Sequence, residues 1–414
     1  MTKILSNKSN IDLDYPICRP SLDLDFTQER LDPRITFSRG SIGTRVNRNR
    51  LIETVSANQP RFDYDPVTGE CKGLLIEESR SNSLLRSEDF TTTWGASAVS
   101  VSSNVITAPD GNTTADKLVE NTSFSNFKFV SQSVGTIVGT YTVSAFFKAG
   151  ERFSGYIQLL SSGGSATAGF NLRTGTITGG SGTNTITPYG NGWYRVTSTQ
   201  TFTSATATVY IVLYNSNGIT NYTGDGTSGL YLWGAQLEAG SFPTSYIPTT
   251  ASTVTRSADN AQMTGTNFSS WYNQSEGTIY TQAKSIATIS GGTRRFLEFV
   301  NGSGTERYLL GYSTTSNARF LVTALGVNQA DISVTASPSN GVKMCVSYAT
   351  NNFSSAVNGT LGTRDVAGLV SNPIRITFGS DPFLNANTIL SGTISRLTYY
   401  PRALKPNQLQ TLTS

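Results

Sequence analysis

From about residue 88 onward, the chain alternates short strand-like runs with clusters of Gly, Ser and Asn, and this texture decides most of what it can fold into. Tyr141-Thr-Val-Ser-Ala-Phe-Phe147, Tyr156-Ile-Gln-Leu-Leu160, Trp193-Tyr-Arg-Val-Thr197 and Val209-Tyr-Ile-Val-Leu-Tyr214 are rich in β-branched and aromatic residues. Runs of this kind bounded by turn residues read as strands, and many at close spacing read as a two-sheet sandwich or jelly roll. Asn191-Gly192 directly ahead of Trp193 is a strong hairpin signal. Composition agrees, because only 14% of residues are charged, against about a quarter in an ordinary globular domain. Helices with exposed faces usually carry Glu, Lys and Arg, whereas the solvent faces of sheets accept Thr and Ser. The expected fold class is all-β.

The texture changes along the chain. Residues 1–87 hold a larger share of the charges: Arg19, Arg30, Arg34, Arg39, Arg45, Arg48 and Arg50 alternate with Asp12, Asp14, Asp23, Asp25 and Asp32. Ser21-Leu-Asp-Leu-Asp-Phe26 reads as a half-buried strand. Asp65-Pro-Val-Thr-Gly69 is a turn between Arg61-Phe-Asp-Tyr64 and Gly73-Leu-Leu-Ile-Glu77, with Pro and Gly at turn-favouring places. Residues 88–250 form the first β series. Phe242-Pro-Thr-Ser-Tyr-Ile-Pro248 and the Thr/Ser run after it read as a connector, since two prolines do not suit a central strand. Residues 251–414 form a second β series, closing with Gly392-Thr-Ile-Ser-Arg-Leu-Thr-Tyr-Tyr400 and a short helix that Pro406 starts. The expected organisation is a charged β-rich arm followed by two β-sandwiches.

Several functions fall away on residue types alone. The chain has no histidine, which removes Ser-His-Asp and Cys-His catalysis, His-ligated zinc and an imidazole base. Glycoside hydrolysis survives, because it needs only two carboxylates. A net charge of +4 without a Lys/Arg-rich run gives nucleic-acid binding little support. Cys18, Cys71 and Cys345 are odd in number and widely spaced, so reduced thiols are expected rather than a disulfide framework. The opening stretch to Asp14 has no apolar signal core, and no run is long enough to span a bilayer. A soluble protein without membrane insertion is expected.

Three segments resemble a known family. Ser21 to Phe26, Leu31-Asp-Pro-Arg-Ile-Thr-Phe-Ser-Arg39 and Pro60 to Arg80 look like the N-terminal module of tailed-bacteriophage fibre, spike and head-fibre proteins. Asn82-Ser-Leu-Leu-Arg-Ser-Glu-Asp-Phe90 with Trp94 resembles that module's usual continuation, apart from the inserted Ser83. Leu232 to Pro248 is similar to the end of a carbohydrate-binding-module-like jelly roll in such proteins. Gly392 to Leu412 resembles the closing strand and helix of concanavalin A-like, laminin-G-type sandwiches. The resemblance implies a virion structural protein, made in the bacterial cytoplasm and displayed on the tail or capsid surface. Residues 1–87 would attach to other virion proteins, 88–250 would be the jelly roll and 251–414 the concanavalin A-like sandwich, in a homotrimer. A tail fibre or spike component that binds a host-surface glycan is the leading expectation. A capsid head fibre or decoration protein is the alternative, and an exopolysaccharide depolymerase a weaker one.

Aromatic faces stack on sugar rings, so the four tryptophans are the first glycan-site candidates, although large aromatics also anchor β cores. Trp193 and Trp233 lie inside strand patterns and read as core. Trp94, Trp271 and Tyr272 lie in polar or loop segments and are the candidates for a glycan surface. In the N-terminal segment Arg34, Arg39, Asp63 and Asp65 are the candidate virion-attachment residues; the alternative is an ordinary solvated surface. Asn221-Tyr-Thr-Gly-Asp-Gly226 offers oxygens to calcium but lacks a full ligand set, so a turn is expected and no cofactor or metal site. Glu276, Glu298, Glu306 and Asp365 are acidic candidates for glycosidase chemistry, with nothing to mark a pair, and no catalytic residue is assigned.

Overall fold

The computed structural model describes residues 18–125, 127–287, 293–313, 317–337 and 340–414. The opening stretch, Asp12 and Asp14 lie outside the described residues. The fold is nearly all β, with a helix at Pro406–Thr413 as expected.

Residues 95–239 form the jelly roll. Its ten strands belong to one folded sheet, in the order Thr176–Ser181, Gly164–Asn171, Ser154–Ser161, Trp193–Leu213, Lys128–Lys148, Gly229–Ala239, Ala115–Glu120 and Val99–Ile106. Thr183–Pro188 adds to Trp193–Leu213, and Gly95–Ser97 to Lys128–Lys148. The two central strands are 21 residues long and pair with each other. Register shifts between Ser133 and Gly135 and between Ile137 and Gly139 interrupt their ladder. Bulges bend a strand and strengthen its twist, which lets one strand pair serve both layers. Alternate residues such as Val130, Phe147, Ile157, Phe170, Ile211 and Leu232 fill the space between the layers.

The second sandwich has an eight-stranded and a seven-stranded sheet. Here the structure departs from the expected division at residue 87. Leu22–Asp25 and Cys71–Ile76 both pair with the closing strand Gly392–Tyr400, and Arg61–Tyr64 extends that sheet as its edge. Thr36–Ser38 joins the opposite sheet through Asn260–Thr264. Leu22, Leu24, Phe26, Phe62, Leu74 and Ile76 share one core with Phe296, Tyr308 and Ile376. The charged segment is therefore not a free-standing arm: its apolar alternate positions complete the C-terminal sandwich. The jelly roll is in effect inserted between two parts of that sandwich, which lie about 180 residues apart in sequence.

The chain crosses between the sandwiches as a two-stranded ribbon, Arg80–Asn82 on the way in and Val254–Arg256 on the way out, paired antiparallel. Around it lies a buried ionic cluster. Arg61 meets Asp259 at 2.5 Å and Glu77 at 2.8 Å, Arg39 meets Asp259 at 3.1 Å and Arg256 meets Glu77 at 3.0 Å. All five side chains are essentially without solvent contact. The Ser245 backbone N–H and hydroxyl both donate to Glu77 at 2.7 Å, so the jelly-roll exit segment joins the cluster. The Phe242–Pro248 stretch is thus a connector, as expected, but a packed one: Phe242, Thr244, Tyr246 and Ile247 are buried.

A small apolar cluster seals the same junction. Val46 and Ile52, from the hairpin of Gly43–Val46 and Ile52–Val55, pack with Tyr64 against Phe146, Trp193, Trp233 and Tyr246. One outer face of the jelly roll is covered in this way.

Candidate functional site

The residues singled out in the sequence lie mostly inside the protein. Trp94 is 5% exposed and packs at 4.9 Å from Phe90 in the jelly-roll core. Trp271 is 4% exposed, wedged against Phe268 and Tyr399 in the second core, and its indole N–H donates to the Asn267 carbonyl. Tyr272 is half-buried and stacks on Phe268 at 4.7 Å. No indole face of these is open to a sugar, so the expected glycan surface at Trp94, Trp271 and Tyr272 is corrected: these loops turn their aromatics inward. Trp193 and Trp233 are core residues as expected, but in the junction rather than between the jelly-roll layers.

The attachment candidates divide similarly. Arg39 sits in the buried ionic cluster. Asp63 is buried, accepts from the Val46 N–H at 2.9 Å and pairs with Lys72. Asp65 accepts from the N–H groups of Val67 and Thr68 and so holds the predicted turn. Arg34 forms a two-point contact with Asp32, both bonds 2.8 Å. Arg39 is sealed from solvent, Asp63 and Asp65 come together in the wall of a cleft between the sandwiches, and Arg34 is half-buried against Asp32.

The acidic candidates are also dispersed. Glu276 accepts from the Ala403 N–H, Glu306 ties Leu325 to Asn372, and Asp365 forms a bridge with Phe353. Glu298 is buried beside Arg295 at 2.7 Å; its burial raises the carboxyl's pKa despite that cation. Asp225 accepts from the Thr227 and Ser228 N–H groups and the Ser228 hydroxyl, so a turn lies at Asp225–Ser228, whereas Tyr222–Thr223, inside the stretch expected to be a turn, is a short strand paired with Phe124–Ser125. Among the described residues, no group of three or more Cys, Asp or Glu is placed to hold a metal ion.

The structure instead exposes an aromatic face that sequence reading missed. The outer face of the jelly-roll layer opposite the junction is built from every second residue of Lys128–Lys148, Ser154–Ser161, Gly164–Asn171 and the second half of Trp193–Leu213. Cross-strand register sets Phe129 beside Val212, Val212 beside Tyr156 and Tyr156 beside Gly169. The next row runs Ser131, Tyr210, Gln158, Thr167 and Ser181. Phe129 meets Tyr210 at 5.3 Å and Tyr156 meets Tyr214 at 5.7 Å. All four rings are half-buried, standing over Val212. Among the described residues, the hydroxyls of Tyr156, Tyr210 and Tyr214 have no intramolecular hydrogen-bond partner. Burial, with Tyr214 and Tyr210 close by, pushes the Tyr156 phenol up to about 12, so it remains a donor at any physiological pH.

Beside the rings the floor drops. Gly169 faces Gly179 across neighbouring strands, and a cavity of about 520 Å³ opens over them. Its walls include Phe153, Asn171, Thr178, Tyr214, Ser216 and Asn217. This size is in the range of small-ligand sites. A second cleft, of about 360 Å³, lies between the sandwiches and is lined by Lys72, Tyr189, Arg195 and Lys284 among others. Much of its polar wall is already engaged: Lys72 with Asp63, and Arg195 with Ser144 and the Thr244 carbonyl.

No protein-family model and no curated protein matches the chain. Among solved structures it is similar to the CBM40 of Ruminococcus gnavus IT-sialidase bound to alpha2,3 sialyllactose. The identity is 14% over 34% of this chain and 84% of that one, with a TM-score of 0.29. It is similar to domain 4 of AbnA, a GH43 extracellular arabinanase from Geobacillus stearothermophilus in complex with arabinotriose, at 12% identity over 38% and 73%, TM-score 0.29. It is also similar to a Trypanosoma rangeli sialidase in complex with the inhibitor DANA, at 9% identity over 72% and 60%, TM-score 0.30. These are likenesses of β-sandwich fold alone.

Proposed function

We propose that this is a non-enzymatic bacteriophage virion protein, a tail fibre or spike component that binds host-surface glycan during adsorption. The observation that carries glycan binding is the open aromatic face of the jelly roll. Both outer faces of that domain bear large aromatics, yet one is sealed by the hairpin at residues 43–55 and the other is left to solvent. Rings flanked by Ser, Thr and Gln suit a ligand that is apolar on its ring faces and hydroxylated at its edges. The virion assignment rests on the phage-like segments from Ser21 to Phe90, as do the homotrimer and the other virion proteins as partners.

The test has two arms. Purified protein should bind host envelope polysaccharide and compete with phage adsorption, and antibody on virions should label the tail tip or baseplate. Retention of no polysaccharide at all would defeat the glycan reading. A second reading, capsid head fibre or decoration, is favoured by the described residues forming two sandwiches without a shaft-like repeat. Label spread over the head, with adsorption unchanged by the purified protein, would select it.

A further inference from the structure

We infer that the aromatic face and the cavity beside it take an uncharged glycan, and that acidic polysaccharides are not its ligands; this rests on the glycan reading above. The inference follows from the wall chemistry. None of the cavity-lining residues carries a charge, and neither do the two cross-strand rows of the face. What remains are hydroxyls, amides, exposed backbone at Gly179 and Gly180, and rings, which together match neutral sugar edges and faces. Binding a carboxylate or sulfate here would remove the anion from water with no cation among the lining residues to meet it, and that desolvation is unfavourable.

The nearest cations are occupied in different ways. Arg152 donates to the wall residue Ser216, but its guanidinium is held by both oxygens of Glu120, at 2.8 and 2.5 Å. The Arg173 guanidinium carbon sits over the Phe153 ring, 3.8 Å from its centroid. Among the described residues Arg173 pairs with no carboxylate, so it is the group to test for a contribution to binding an acidic ligand. The site also needs its open floor. A bulky side chain at Thr178, an exposed position on the edge strand Thr176–Ser181, would fill the cavity without touching the core.

The experiment measures retention of the full chain on immobilised neutral polysaccharides (dextran, galactan, mannan) and acidic ones (hyaluronate, alginate, polysialic acid). It is run at low and high salt, with circular dichroism to check folding. The expected result is binding to at least one neutral polymer with an affinity nearly unchanged by salt, since no ion pair is screened. Tyr156→Ala and Thr178→Trp should each weaken it roughly tenfold or more, as loss of a ring contact or of the cavity. Arg173→Gln should leave it unchanged. Salt-sensitive binding to acidic polymers only, abolished by Arg173→Gln, would overturn the uncharged-ligand inference while leaving glycan binding intact. Neutral-polymer binding indifferent to both Tyr156→Ala and Thr178→Trp would overturn the placement of the site. Binding to neither class would overturn this inference together with the reading on which it rests.

Discussion

Glu77 shows how one residue can hold two domains together. Burial by itself would raise its carboxyl, but Arg256 and Arg61 draw it down to about 2, with the Ser245 donors assisting. A carboxyl depressed in the folded state stabilises the protein above its unfolded value of 4.5, and that contribution is lost as pH falls toward 2. On this account roughly 3 kcal/mol of stability drains away between those two pH values. Glu77→Gln keeps the shape but leaves two buried guanidinium groups underpaired, which costs about 3–5 kcal/mol at neutral pH. Urea unfolding followed across pH 7 to 2 should show a steep loss of midpoint in the native chain. In the variant, the midpoint should be lower at pH 7 and flatter across the acid range.

At the scale of elements, the strand Cys71–Ile76 is constrained by what lies beside it. Gly73 has φ of +98°, and a Cβ there would stand 2.3 Å from the Ile394 carbonyl oxygen of the neighbouring strand. Gly73→Ala should therefore push apart the pairing of Leu74–Ile76 with Gly392–Ile394, lowering the melting temperature by several degrees for a loss of about 2 kcal/mol. Differential scanning fluorimetry would read it, and an unchanged melting temperature would show that this contact relaxes freely. That Gly73 belongs to a strand was legible in the sequence, as were the turn at Asp65–Gly69 and most strands of both series. Which strand it meets was not, because local patterning reports alternation and says nothing about a partner more than 300 residues away. The same blindness made residues 1–87 look like a separate arm. The aromatic face was hidden for another reason: in Val209-Tyr-Ile-Val-Leu-Tyr214 both faces are apolar or aromatic, so alternation does not reveal which one meets water. Trp94 and Trp271 misled because polar neighbours in sequence are poor witnesses to burial when a loop folds its ring inward.

For the whole molecule, the insertion of one sandwich into the other implies shared stability. The ionic cluster and the apolar junction bury groups from both, so the native chain should unfold in a single calorimetric transition, with calorimetric and van't Hoff enthalpies in agreement. Glu77→Gln should separate it into two, since the junction weakens while each core of alternate apolar residues is untouched. Two transitions already present in the native chain would mean that the junction contributes little cooperativity.

The paired crossing at Arg80–Asn82 and Val254–Arg256 also has a mechanical meaning. A glycan gripping the jelly roll would pull on two covalent strands in parallel rather than on one tether. The tension would be passed to the closing strand Gly392–Tyr400 and its neighbours through the ribbon and the guanidinium–carboxylate contacts around it. A domain joined by a single flexible linker swivels under such a pull. This one resists as a bracket fixed at two points, so a drag force on whatever the face has caught would be felt by the second sandwich as a tilt.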